Sequence, residues 1–72
     1  MALGTQLKAA RAARHMTQHD LALDARVDRA VIAQLETGIR HNIYFDTALR
    51  LAIALDVSLD YLAEREELPH AV

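Results

Sequence analysis

Helix-forming residues dominate this 72-residue chain. Fourteen residues are Ala and eleven are Leu, whereas Gly occurs twice and Pro once. Ala and Leu rank highest in helix propensity, and strands would require more β-branched and aromatic residues in alternation. Because a domain of this length buries only about 60% of its unfolded surface, its helices must be few and closely packed. The composition therefore predicts one compact all-α domain.

Capping residues and apolar residues at helical spacing divide the chain into five predicted helices. Thr17, Asp28 and Ser58 are typical N-caps, and Gly38 lies where a left-handed residue ends a helix. The predicted helices cover about residues 3–15, 18–25, 29–37, 45–55 and 59–66. We expect the domain to span residues 1–66, with a short tail over residues 67–72.

The expected core takes residues from every predicted helix. Spacing by three or four residues selects the inward positions of each helix. In the fourth helix, we expect Leu49, Ala52, Ile53 and Leu55 to face the core. The inward residues of the other helices are Leu3, Leu7, Ala10, Leu21, Ala25, Ile32, Leu35, Leu59 and Leu62.

Charge is unevenly distributed, although the net charge is −2. Residues 1–41 contain six Lys and Arg and four acidic residues, which gives +2. Residues 42–72 contain two Arg and six acidic residues, which gives −4. A basic half is compatible with a polyanionic partner. The chain has no cysteine, which excludes disulfides and thiolate metal sites and favours a cytoplasmic protein. No apolar run is long enough to span a membrane.

Residues 18–37 have the spacing of two short helices that cross at a tight turn. Counted from Gln18, apolar residues stand at the fourth, eighth, tenth, fifteenth and eighteenth positions, namely Leu21, Ala25, Val27, Ile32 and Leu35. Ala22 takes the fifth position, where the two backbones approach most closely. This pattern is typical of a helix-turn-helix.

The second of these helices has an outward surface suited to a DNA groove. At about 100° per residue, Ile32 and Leu35 face the core. The outward residues are Arg29, Ala30, Ala33, Gln34 and Thr37. Arg can donate two hydrogen bonds to guanine, Gln can pair with adenine N6 and N7, and Ala can contact a thymine methyl group. The pattern suits a helix that reads base edges in the major groove of double-stranded DNA. The same residues also fit an ordinary helix surface, with Arg29 and Gln34 in solvent and Ala30 and Ala33 as helix formers.

Three segments, "MTQHDLA", "VDRAVIAQLETG" and "LRLAIALDVSLDYL", occur in order and at matching separations. Together they resemble the five-helix, lambda-repressor-like DNA-binding domain of phage Cro and repressor proteins, the Xre-type family. The resemblance covers roughly residues 3–65. It implies a transcriptional regulator, in particular a repressor, that binds a pseudo-palindromic operator as a homodimer and needs no cofactor.

The resemblance also assigns roles to individual residues. Arg29, Ala30 and Gln34 match base-reading positions of the family, with Ala33 and Thr37 beside them. The candidate phosphate contacts are Gln18, Arg40, His41 and Asn42, followed by Arg26 and Arg14. Arg11 and Glu36 match a partly buried ion pair that joins the first helix to the third.

Two residues depart from the family where a helix ends. The family usually has Gly at the positions of His15 and Arg26. If these residues keep a left-handed backbone, each costs about 1–2 kcal/mol.

Other functions receive less support from the sequence. His15 and His19 are four residues apart but fall on different predicted helices, so we expect no metal site. No nucleophile and base stand at a workable spacing, so we expect no enzyme. If the fold instead docks a partner protein, as an adaptor or antitoxin would, the acidic residues 42–72 offer the contact surface. For a homodimer, the surplus apolar residues are Tyr61, Leu68 and Val72.

Overall fold

The computed structural model describes residues 3–63 and contains five helices. They are α1 (Leu3–Ala13), α2 (Gln18–Ala25), α3 (Arg29–Thr37), α4 (Phe45–Leu55) and α5 (Leu59–Ala63). Residues 3–63 contain no strand, so the predicted all-α, five-helix fold is confirmed. Within these residues, the end of α1 differs from the prediction, since this helix stops two residues before His15. The predicted last turn of the fifth helix, residues 64–66, and the predicted tail, residues 67–72, lie outside the described residues.

Side-chain caps begin the helices where the sequence predicts them. The Thr17 hydroxyl accepts a hydrogen bond from the Asp20 amide at 3.0 Å, and the Thr17 amide donates to the Asp20 carboxylate at 3.0 Å. The Asp28 carboxylate accepts from the Ala30 amide at 3.0 Å, and the Ser58 hydroxyl accepts from the Tyr61 amide at 3.0 Å. These bonds satisfy amides that the first turn of a helix leaves without a partner.

Left-handed residues end or follow four of the helices. Gly38 has φ 86° after α3, as predicted. His15, Arg26 and Asp56 have φ of 58°, 60° and 59°, although each of them carries a Cβ atom. The two residues that replace glycine of the related family therefore keep the glycine-like backbone, and each carries the strain of that conformation.

The core forms where α1 packs on α3 and α5 and where α2 packs on α3 and α4. Its most completely buried side chains are Leu7, Leu21, Ile32, Leu35, Leu51, Leu55 and Leu62. The predicted core is confirmed in α1, α2 and α3. Leu59 is only partly buried against it.

The prediction for α4 is wrong at two positions. Leu49 and Ile53 are 39% and 71% exposed, whereas Leu51 is fully buried. The helix "FDTALRLAIAL" is apolar on more than one face, so its sequence does not define which face meets α2. Tertiary packing selects the face of Leu51, Ala52 and Leu55 and leaves Leu49 and Ile53 in solvent.

Candidate nucleic-acid interface

The outward surface of α3 carries the residues predicted to read bases. Ile32 and Leu35 hold this helix against the core. Arg29, Ala30 and Thr37 are exposed, and Ala33 and Gln34 are half-buried. The Thr37 hydroxyl donates to the Gln34 carbonyl oxygen at 3.3 Å, so this hydroxyl bonds within its own helix.

The loop after α3 returns to the end of the helix and contacts Gln34. The Arg40 amide donates to the Gln34 backbone carbonyl oxygen at 3.0 Å. The Arg40 Nε donates to the side-chain Oε1 of Gln34 at 3.1 Å. A predicted base-reading residue and a predicted phosphate-contacting residue are therefore hydrogen-bonded to each other.

The other predicted phosphate contacts lie at two kinds of position. His41 and Asn42 are exposed in the same loop as Arg40. Arg14 and Arg26 are exposed at the turns that follow α1 and α2. The Gln18 side chain instead turns toward the protein, where its Nε2 donates to Glu36 Oε1 at 3.0 Å. Gln18 can still offer its backbone amide, which the first turn of α2 leaves without a helical partner.

One cationic residue was missed by the sequence reasoning. Arg50 of α4 lines a shallow groove together with Arg26, Arg40 and Asn42. Its Nη1 lies 3.3 Å from the Asp46 carboxylate, in an exposed pair one helical turn apart. No local signal could have found this residue, because only the fold brings α4 beside the turn after α2.

Arg11 and Glu36 form an ion pair that connects α1 to α3. Arg11 Nε and Nη2 donate to the two Glu36 carboxylate oxygens at 2.8 and 2.9 Å. The two side chains are 15% and 4% exposed. Arg11 Nη1 also donates to the Met16 carbonyl oxygen at 2.8 Å. With Gln18, the carboxylate thus receives three hydrogen bonds from two helices.

The ion pair alters the acidity of both groups. Burial by itself would raise the pKa of Glu36, but hydrogen bonds from Arg11 and Gln18 and the charges of Arg11 and Lys8 leave it below its ordinary value. The hydrogen bond to Glu36 raises the pKa of Arg11. Both shifts favour the charged forms, so the pair stays ionised at neutral pH.

Of the residues predicted to contact a second subunit, only Tyr61 lies in the described part of the chain. It is exposed, and its carbonyl oxygen accepts a hydrogen bond from Gln6 Nε2 at 3.3 Å. Leu68 and Val72 lie outside the described residues. A larger exposed apolar surface, not predicted from the sequence, runs along α4 through Phe45, Leu49 and Ile53.

Residues 3–63 contain neither a cluster of metal-ligating side chains nor a helix that could cross a membrane. Three or more His, Cys, Asp and Glu side chains do not gather anywhere in this range in a way that could hold a metal ion. None of the helices in this range is long and apolar enough to cross a membrane.

Two short helices that cross at a tight turn, with an exposed polar surface on the second, define a helix-turn-helix protein. The sequence model of the helix-turn-helix family matches residues 7–62, and the chain belongs to this family, in its Xre-like branch. Its members are DNA-binding regulators of transcription rather than enzymes.

A solved structure of this family resembles the chain closely. It is the crystal structure of the restriction-modification controller protein C.AhdI from Aeromonas hydrophila, with 33% sequence identity and a TM-score of 0.77. The similarity covers 83% of this chain and 89% of that chain. Curated proteins gave no match.

Proposed function

We propose that this protein is a sequence-specific repressor that inserts α3 into the major groove of an operator. The observation that carries the proposal is the surface formed by α3 and the following loop. Here a half-buried Gln34 and an exposed Arg29 lie on the helix, and Arg40 is hydrogen-bonded to Gln34. Side chains that read bases and side chains that grip phosphate are needed side by side on such a surface.

Base reading is assigned to the outward residues of α3. Arg29 at the start of the helix suits guanine, while Ala30 and Ala33 are small enough to bring the helix close to thymine methyl groups. Gln34 donates to a base edge, and Thr37 contributes its methyl group because its hydroxyl is bonded within the helix.

Phosphate contacts are assigned to the rim of this surface. Loop residues Arg40, His41 and Asn42 are exposed beside the end of α3. Arg26 and Arg14 extend the positive charge along the turns after α2 and α1, and the amide of Gln18 adds a hydrogen-bond donor at the start of α2. Arg50, which shares a groove with Arg26 and Arg40, joins this group.

We further propose that two copies bind a pseudo-palindrome through a contact between their α4 helices. Phe45, Leu49 and Ile53 are spaced by four residues and form a continuous exposed stripe. A two-fold axis with antiparallel α4 helices places each Leu49 against its counterpart and Phe45 against the partner subunit's Ile53.

The relative of known structure suggests the regulated genes. C.AhdI is a restriction-modification controller protein. We infer that this protein controls transcription of a restriction-modification system as well. The inference predicts that an operator selected from random duplexes also occurs upstream of restriction or methyltransferase genes in the source genome.

Salt dependence tests DNA binding. We expect affinity for the selected operator to fall at least tenfold between about 50 and about 200 mM salt, because released counterions accompany every phosphate contact. Gln34→Ala should weaken operator binding by about 1–3 kcal/mol and scrambled DNA much less. Absence of duplex binding at low salt would instead favour a protein partner.

Sedimentation tests the dimer. Ile53→Lys should give a folded monomer, because it places charge in the apolar contact. Leu23→Lys is a matched control, since Leu23 is 67% exposed on α2 and Ile53 is 71% exposed on α4. The control should sediment like the parent protein. A dimer that survives Ile53→Lys would exclude the α4 contact.

A further inference from the structure

The hydrogen bond between Arg40 and Gln34 fixes how the amide of Gln34 is presented. The Arg40 Nε lies 3.1 Å from Gln34 Oε1, and the Arg40 backbone amide holds the loop to the Gln34 carbonyl oxygen at 3.0 Å. A guanidinium group has donors and no acceptor, so the amide atom that it meets must be the oxygen. This bond occupies one of the two lone pairs of the oxygen, whereas both N–H groups of the Gln34 amide remain for a base.

This orientation changes which base Gln34 suits. Reading adenine with both amide atoms requires the oxygen to accept from N6 while the nitrogen donates to N7. Guanine presents only acceptors in the major groove, O6 and N7. An amide whose oxygen is already bonded to a cation, and whose N–H groups the cation polarises, is matched to acceptors rather than to an adenine edge.

We propose that Arg40 is a positioning residue that sets the base preference of Gln34 toward guanine over adenine. The inference rests on the proposed function, since it requires that Gln34 reach a base. Within residues 3–63 the terminal nitrogens of Arg40 have no hydrogen-bond acceptor. They can contact a DNA phosphate while Nε is bonded to Gln34, so one side chain connects the phosphate contact to base recognition by Gln34.

The experiment compares guanine with adenine at the operator position that Gln34 reads. This position is the one at which Gln34→Ala loses discrimination among the four base pairs. The wild-type protein should favour guanine there. Arg40→Ala frees the amide oxygen, so the ratio of the guanine affinity to the adenine affinity should fall about tenfold, which is the size of one good base contact. Arg40→Lys keeps the charge but lacks Nε, and it should lower the ratio as well.

Two controls separate positioning from loss of charge. Arg14→Ala also removes one exposed cation, but Arg14 has no side-chain hydrogen bond to Gln34. It should weaken binding to all duplexes without moving the base ratio. In a Gln34→Ala background, Arg40→Ala should likewise leave the ratio unchanged, because the amide that it positions is gone.

A readout without DNA tests the hydrogen bond itself. The side-chain amide resonances of Gln34 in the free protein should shift in Arg40→Ala and stay unchanged in Arg14→Ala. Unshifted resonances, or a guanine preference that survives Arg40→Ala in a protein that still binds its operator, would overturn this inference alone. Failure of the wild-type protein to bind any duplex would overturn the proposed function and the inference together.

Discussion

The two sides of the molecule are held in different ways. On the α3 side, polar bonds add to the core packing of Ile32 and Leu35, because the Glu36 carboxylate receives hydrogen bonds from Arg11 on α1 and Gln18 on α2. On the α4 side, the helix begins at Tyr44 without a side-chain cap and leaves an apolar stripe in solvent.

This difference matches the demands that the proposed function makes on the two surfaces. Hydrogen bonds are directional, so a network of them fixes the rotation and tilt of α3, as base reading requires. Burial of apolar surface is not directional and depends mainly on the area removed from water. The α4 stripe therefore suits association with another apolar surface, whereas α3 suits a contact that tolerates little misplacement.

Glu36→Ala should have the largest effect, because it disrupts the hydrogen-bond network that distinguishes the α3 side from the α4 side. It removes one partner of a largely buried pair and leaves the Arg11 charge without compensation, at a cost of about 3 kcal/mol. For a domain of this size, the midpoint of a thermal melt should fall by on the order of 15 °C. Asp46→Ala, which removes an exposed partner of Arg50, should shift it little. Equal shifts in the two variants would mean that the α3 network contributes no more than a surface pair.

Gly4→Ala should have the next largest effect on stability. A Cβ atom on Gly4 would overlap the Leu35 carbonyl oxygen, so α1 would have to move away from the end of α3. Ala is the better helix former by about 1 kcal/mol, but the overlap should prevail and lower the free energy of unfolding by about 1–3 kcal/mol in urea titration. Thr5→Ala, at the exposed neighbouring position, should not destabilise the fold. A stabilised Gly4→Ala variant would contradict the close approach.

Acid should remove the stability that the Glu36 network contributes. The pKa of Glu36 is lowered in the folded protein from its ordinary value of 4.5, so its stabilisation is fully present above that pH. It is lost as the pH falls through the folded pKa. Urea titrations from neutral to acidic pH should therefore show a decline in stability below about pH 4.5 that is smaller in Glu36→Gln. Parallel curves for the two proteins would rule out this source of acid sensitivity.

His15→Gly should produce the smallest effect, and in the opposite direction. It relieves the left-handed backbone at φ 58° that ends α1, although glycine also gains freedom in the unfolded chain. The net stabilisation should be about 0.5 kcal/mol by urea titration. Arg14 is not among the residues with positive φ, so Arg14→Gly should give no such gain. Destabilisation by His15→Gly would indicate that the imidazole ring contributes more than the backbone strain removes.

The helices, the capped starts of three of them and the family could be predicted from the amino-acid sequence alone. Thr17, Asp28 and Ser58 each accept a hydrogen bond from an amide two or three residues later in the chain, so their capping roles can be predicted without the tertiary structure. The burial of Ile32 and Leu35 could also be predicted, because α3 has one apolar face and only that face can pack against the core.

Other features follow from tertiary packing, because they depend on residues that are distant in the sequence or on a choice between similar faces. α4 is apolar on several faces, so the burial of Leu51 instead of Leu49 and Ile53 follows from where α2 lies. From the sequence, Gly4 is only a poor helix former, whereas the structure shows that the backbone of Leu35 packs too close to Gly4 for a Cβ atom. The bond from Arg40 to Gln34 requires a loop that turns back at Gly38, since six residues of continuous helix would separate these side chains by nearly two turns.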